Sequence, residues 1–198
     1  MAKESPPANG SHDFSETSKG ILDATIAANS IAADDAHVNA YEMRNALLEA
    51  RRKARVRYKN GETLPATAAK LLADAERKVR HSRILARNIK NATGVDRHVA
   101  ADAHHIVAQS DKRAKASRDF LFDWGIGIND AVNGVYLPKK AGSVPGMDDA
   151  TAHEIIHTSP YHLEVWSRLR DIQGESSSVA RVELREMASD MVAGEFPY

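Results

Sequence analysis

The segment Ala103-His104-His105-Ile106-Val107 sets two imidazoles side by side, and three later signals give them company. Asn133-Gly134-Val135-Tyr136-Leu137-Pro138 brings an amide into a turn, and His153 and His157 follow at i and i+4. Histidine titrates near neutrality, so it can accept a proton from water or, when neutral, ligate a divalent ion. Phosphodiester hydrolysis needs both capacities: a water must lose a proton, the phosphate charge must be neutralised and the leaving oxygen must be stabilised. His105 can take the proton. His153 and His157 on a short helix would project from one face toward one ion. Adjacent strand residues point to opposite faces, so one member of the His104-His105 pair can face the metal and the other the water, with the phosphate between them. Asn133, at a tight turn, can hold the base strand in register with its amide.

Two other readings compete. His153-Glu154-Ile155-Ile156-His157 spells H-E-x-x-H, the motif of a zinc metalloprotease with Glu154 as base. Pro160 and Pro145-Gly146 confine its helix to about two turns, and a protease leaves His104, His105 and Asn133 unused. Glu175 or Glu183 would have to be the third ligand, outside any recognisable motif. The other alternative is a non-cleaving nucleic-acid-binding module, against which the intact His105 speaks. Taken singly, His98 or His162 reads as an ordinary polar or core residue, and no function is assigned to His12, His37 or His81.

The elements that must position this set fall into three stretches. Residues 1–14 read as a flexible leader and 15–97 as a helical region. Ala40, Met43, Leu47, Ala50 and Ala54 mark one apolar helix face, and Lys59-Asn60-Gly61 reads as the stop of that helix. A second helix, with Pro65 in its first turn and Thr93-Gly94 at its end, would turn Leu72, Ala75, Val79, Ala86 and Ile89 inward. Arg80, Arg83, Arg87 and Lys90 form a basic stripe along it and are the candidate nucleic-acid contacts. These two helices would make an antiparallel hairpin or bundle, with homo-oligomerisation through it as one way to cover its alanine-rich face. Residues 98–198 read as the catalytic domain. They hold a strand at His105-Ile106-Val107, a helix from Asp111 to Trp124 stopped by Gly125, and a strand at Val135-Tyr136-Leu137. A short helix capped by Asp148 or Asp149 would carry His153 and His157, followed by helices from Ser159-Pro160 and from Ser177 to Met191. The fold class is α+β, mostly helical.

The chain of 198 residues has length for one or two domains, is 42% apolar, and carries no apolar run long enough to span a membrane. No cysteine is present, which excludes disulfides, thiolate metal sites and a thiol nucleophile. The polar start lacks the apolar core of a secretory signal, so the expectation is synthesis in the cytoplasm, with delivery by a specialised secretion system still open. Net charge is zero, but residues 51–97 hold 14 basic against 4 acidic side chains, a field suited to a polyanion.

The ordered set His104-His105-Ile106, Ile128-Asn129-Asp130-Ala131-Val132-Asn133-Gly134-Val135-Tyr136-Leu137-Pro138, then His153 and His157 followed by Tyr161 resembles the AHH family of the HNH/endonuclease VII (His-Me finger) nuclease superfamily. The resemblance covers about residues 100–170. It implies a ββα-metal domain and a metal-dependent endonuclease acting on nucleic acid, DNA more than RNA, often as a bacterial toxin or effector with a cognate immunity protein. By this likeness His105 is the general base, Asn133 the positioning residue, and His104, His153 and His157 the ligands of one divalent ion (Zn, Ni, Mn or Mg). Asn129 and Asp130 are supporting residues, and Tyr161 or His162 approaches the phosphate. Ala108 departs from the family, many of whose members carry proline soon after the His-His-Ile.

Overall fold

Asn60-Gly61 turns the chain back on itself instead of ending a helix. In the computed structural model, which describes residues 37–49 and 55–198, Tyr58–Lys59 (β1) and Glu62–Thr63 (β2) pair antiparallel around it. Both turn residues have positive φ, 50° and 82°, the conformation that two-residue hairpins demand and Asn-Gly supplies. The same tolerance of left-handed dihedrals serves at helix ends, so the residue pair suits both elements and only the flanks decide.

The chain divides into two compact units, Met1–Lys53 and Ala54–Tyr198. Of the first, residues 37–49 form a helix, α1, on which Met43 and Leu47 are exposed and not turned inward as expected. The expected leader, the start of the first helix, Ala50 and Ala54 lie outside the described residues. In the second unit the helix of residues 81–93 packs on the strand pair that carries the histidines. A boundary after residue 97 therefore falls within one contiguous body.

The expected helix from Pro65 onward is two helices. Thr67 caps α2 (Ala68–Ala75) by accepting from the Lys70 amide. A break then precedes α3 (His81–Thr93), which Gly94 ends at φ 74°. The break resets the helical phase. Leu71, Ala75, Leu85 and Ile89 are buried, whereas Leu72 and Val79, placed inward by one continuous period, are 43% and 38% exposed.

The strand pair behaves more as the sequence reads. Ala101–His105 (β3) runs antiparallel to Gly134–Pro138 (β4), with His104 opposite Val135 and His105 opposite Gly134. Between them, a short 3-10 turn capped by Asp111 leads into α4 (Lys115–Asp123), and Gly125 ends it. α5 (Ser159–Asp171), capped by Thr158, and α6 (Ser177–Ala193) complete the unit. Leu163, one of the apolar positions picked out on α5, is 63% exposed; its buried face is Tyr161, His162, Val165 and Leu169.

Alternation along β3 is covered by different partners on its two faces. Ala103 packs with Leu85 and Ile89 of α3. Glycine at 134 permits this approach, because a Cβ there would stand 2.6 Å from Leu85 Cδ1. The opposite face joins the main core, where Val135 and Leu137 meet Tyr161, Val165, Leu184 and Met187. Asp130, fully buried, ties the parts together: its carboxylate accepts from the Thr63 amide at 2.8 Å and hydroxyl at 2.6 Å, and from Arg181 of α6 at 2.8 and 3.1 Å. One buried charge, matched by a forked guanidinium, thus fixes the hairpin and α6 to the turn that leads into β4.

Candidate active site

His104, His153 and His157 converge. One ring nitrogen from each lies within 4.8 Å of the others, and the His104 ring centroid stands 5.3 Å from that of His153 and 5.0 Å from that of His157. The route to this arrangement differs from the expectation. Residues 151–158 form a turn and extended chain, with no helix and no cap at Asp148 or Asp149. Backbone bonds replace the helix: His153 N donates to Pro138 O at 2.8 Å, and Thr151 N to Met191 O at 2.9 Å. Arg113 completes the hold by donating to the His157 carbonyl at 3.2 Å while paired with Asp111. Pro145-Gly146 upstream and the Thr158 cap downstream leave too little chain for a stable helix, and a loop anchored at both ends delivers the same two rings.

The hydrogen bonds of His104 identify its free nitrogen. Its Nε2 lies 2.7 Å from the Tyr161 hydroxyl, which donates its own proton to the Ile106 carbonyl at 2.6 Å. With that proton committed, the hydroxyl oxygen accepts from His104, so Nε2 carries the hydrogen and Nδ1 the lone pair. Nδ1 is buried and has no hydrogen-bond partner among the described residues, and His104 itself is 1% exposed. A buried unpaired acceptor costs about 1–3 kcal/mol unless something binds it, and a divalent ion held with His153 and His157 would. Burial first, then the neighbouring histidines, holds the His104 pKa well below its ordinary value. Burial and His153 lower that of His157. Both rings therefore stay neutral and able to ligate at neutral pH. The Asp102 carboxylate lies beside His153, 3.6 Å from its Nδ1. The donor set fits a divalent metal.

Tyr161 is fully buried and bonded at both ends, and His162 is 4% exposed with Nε2 3.2 Å from Asp111. Both side chains are thus committed to partners within the protein. Tyr161 is the residue that sets the His104 tautomer. Tyr161→Phe is expected to weaken affinity for a divalent ion by about 10–100-fold and to cost about 1–3 kcal/mol of stability, read by metal titration and by denaturant unfolding.

His105 points to the other side of the strand end. It is half-buried, and burial pushes its pKa down to about 4, which leaves it neutral at pH 7. Its Nε2 lies 3.2 Å from the Asn129 side-chain oxygen. Asn133, fully buried, clamps the chain just beyond it: its Oδ1 accepts from the Val107 amide at 2.8 Å, its Nδ2 donates to the Ile128 and Val107 carbonyls at 2.9 and 3.3 Å, and its carbonyl accepts from the Ile106 amide at 3.0 Å. The paired histidines, His153 and His157 line one open cleft of about 660 Å³, together with Arg80 and Ser82 at the start of α3. Arg80, Arg83 and Arg87 are exposed and without an acidic partner among the described residues, while Lys90 pairs with Asp96 at 2.7 Å. Glu154 is exposed on the turn.

Sequence reasoning missed Asp102 and His81 at this site. Asp102 was open to it, since residues 102 and 104 share a strand face by the two-residue period. His81 was not, because only the break before α3 brings that helix's first residue to the cleft.

A cleft that joins three converging imidazoles, one of them buried, to a neutral histidine at the end of an antiparallel strand pair is the equipment of a metal-dependent nuclease. Residues 85–191 match the AHH family, described as a nuclease family of the HNH/ENDO VII superfamily with conserved AHH. The chain belongs to this family, with Ala103-His104-His105 as its AHH. No curated protein and no solved structure matches the chain. Among the described residues no helix is long and apolar enough to cross a membrane.

Proposed function

We propose that the protein is an endonuclease in which His105 deprotonates the attacking water, Asn133 positions the base, and His104, His153 and His157 hold one divalent ion, with DNA as the preferred substrate. The observation that carries this reading is the unpartnered His104 Nδ1, buried beside two further histidines and one residue away from a neutral imidazole. A bound ion supplies charge neutralisation at the phosphate and at the leaving 3′ oxygen. The chain's own part is to hold the phosphate between two imidazoles on neighbouring positions of one strand. Three nitrogen ligands favour Zn or Ni for occupancy, while Mn or Mg can support turnover.

Arg80, Arg83 and Arg87 lie along α3 from the cleft outward and offer a polyanion three cations with no acidic partner among the described residues. Replacing all three with glutamate is expected to weaken DNA binding and to reduce the slope of log affinity against log salt by about 3, one per lost phosphate contact. Binding titrations from low to moderate salt measure this, and an unchanged slope dismisses the stripe as a DNA contact. Cleavage rates on matched DNA and RNA test the substrate preference.

The protease alternative finds no support in the site, because its Glu154 is exposed on a turn and its motif is not helical. A role as a toxin or effector with an immunity partner rests on the family resemblance. Growth arrest on expression in bacteria, relieved by His105→Ala, is the result it requires.

A further inference from the structure

His81 is the first residue of α3, lies N-terminal to the matched family segment, and is 6% exposed. Both of its ring nitrogens are engaged. Nε2 lies 3.0 Å from the Arg77 carbonyl oxygen, which can only accept. Nε2 of the neutral ring therefore carries the hydrogen, and Nδ1 carries a lone pair. That lone pair faces the Asn129 side chain, with the amide nitrogen at 3.0 Å and the oxygen at 3.2 Å. Only the amide nitrogen can donate to it. Asn129 is fully buried, and its carbonyl is pinned to the same helix by Asn88 Nδ2 at 2.7 Å. With its nitrogen turned to His81, Asn129 presents its oxygen to His105 Nε2 at 3.2 Å.

We propose that His81, acting through Asn129, fixes the tautomer of His105, so that Nε2 bears the hydrogen and Nδ1 is the lone pair that receives the proton from water. The donors run in one direction: His105 Nε2–H to Asn129 Oδ1, Asn129 Nδ2–H to His81 Nδ1, and His81 Nε2–H to the Arg77 carbonyl. An asparagine alone cannot set this direction, because its amide can rotate by a half-turn and offer either end. A flipped amide would donate to His105 Nε2 and move the hydrogen to Nδ1. The Arg77 carbonyl, which has no donor form, breaks that symmetry. His81 and Asn129 are positioning residues; the arrangement is the one by which a group behind a catalytic imidazole selects its reactive nitrogen. This inference rests on the reading of His105 as the base.

The test is ¹⁵N NMR of the His105 ring in the full-length protein, alongside kinetics of DNA cleavage. The wild type is expected to show an Nε2–H ring. His81→Leu removes the acceptor and is expected to give a mixture of tautomers and a kcat lower by about tenfold or more with KM little changed. His81→Gln, whose amide can donate to Arg77 and accept from Asn129, is expected to restore both. An Nδ1–H ring in the wild type overturns the proposal, even if His81→Leu fails to fold. So does a His81→Leu protein with an unchanged tautomer and kcat, or His81→Gln that folds and behaves as His81→Leu. If His105→Ala still cleaves DNA, the reading of His105 as base fails, while the tautomer measurement judges the relay separately.

Discussion

His105→Ala is expected to lower phosphodiester cleavage by about 10²–10⁴-fold, the usual contribution of a positioned general base, while leaving the fold and metal binding in place. The structural reason for the second half is that His105 is only half-buried and that, among the described residues, its side chain hydrogen-bonds Asn129 alone. The strand beneath it is held by other groups: by pairing with Gly134, by the Asn133 amide on Val107, and by the Ile106 amide bonded to Asn133. The nitrogens that could hold an ion belong to other residues, His104, His153 and His157. Circular dichroism and metal titration of the variant should therefore match the wild type, and the defect should fall in kcat. Burial pushes the His105 pKa down to about 4, so at physiological pH the ring is neutral and one nitrogen keeps its lone pair.

The second large effect is expected at His157. It is exposed, unlike His104, and its ring has no hydrogen-bond partner among the described residues, so its truncation leaves little uncompensated in the fold. His157→Ala nevertheless removes one of three imidazoles from the set that would neutralise the phosphate. Lewis-acid stabilisation is worth several kcal/mol, so cleavage is expected to fall by about 10²–10³-fold. Metal affinity should fall in parallel, and higher metal concentration should restore part of the rate. Glu154→Gln, three residues away on the same turn, is expected to leave cleavage nearly unchanged. Rates measured across a metal titration distinguish the two variants, and a crippled Glu154→Gln beside an active His157→Ala would point back to the protease motif.

The site residues were legible in the sequence to the extent that their chemistry is local. Two adjacent histidines, an Asn-Gly before a short apolar run, and a histidine pair at i and i+4 announce themselves by type and spacing. The strand pair was legible because Val135-Tyr136-Leu137 and the residues around His105 carry strand character bounded by turn signals. What spacing could not give was the element under His153 and His157. A four-residue step suits one face of a helix, yet tethers to Pro138 and Met191 put both rings on one side of a turn. Those tethers join residues far apart in sequence, which local periodicity does not register.

The same limit explains the region before the strands. Asn60-Gly61 satisfies a helix stop and a hairpin turn equally well, and the choice is made by Asp130, which binds Thr63 across 67 residues of chain. The break between α2 and α3 likewise shows in no proline or glycine. His81 ended up in the cleft by way of that break, with a ring engaged by Arg77 and Asn129. Spacing also does not show that the Tyr161 hydroxyl bonds His104 and the Ile106 carbonyl, because that contact belongs to packing between α5 and the strand.

The central claim is that these histidines form one metal-dependent hydrolytic site, and plasmid nicking tests it most directly. Purified protein is incubated with supercoiled DNA and a divalent metal, with and without chelator, alongside His105→Ala and Glu154→Gln. Nicking by the wild type and by Glu154→Gln, lost on chelation and in a folded His105→Ala, is the predicted result. Nicking retained in His105→Ala but lost in Glu154→Gln would contradict it.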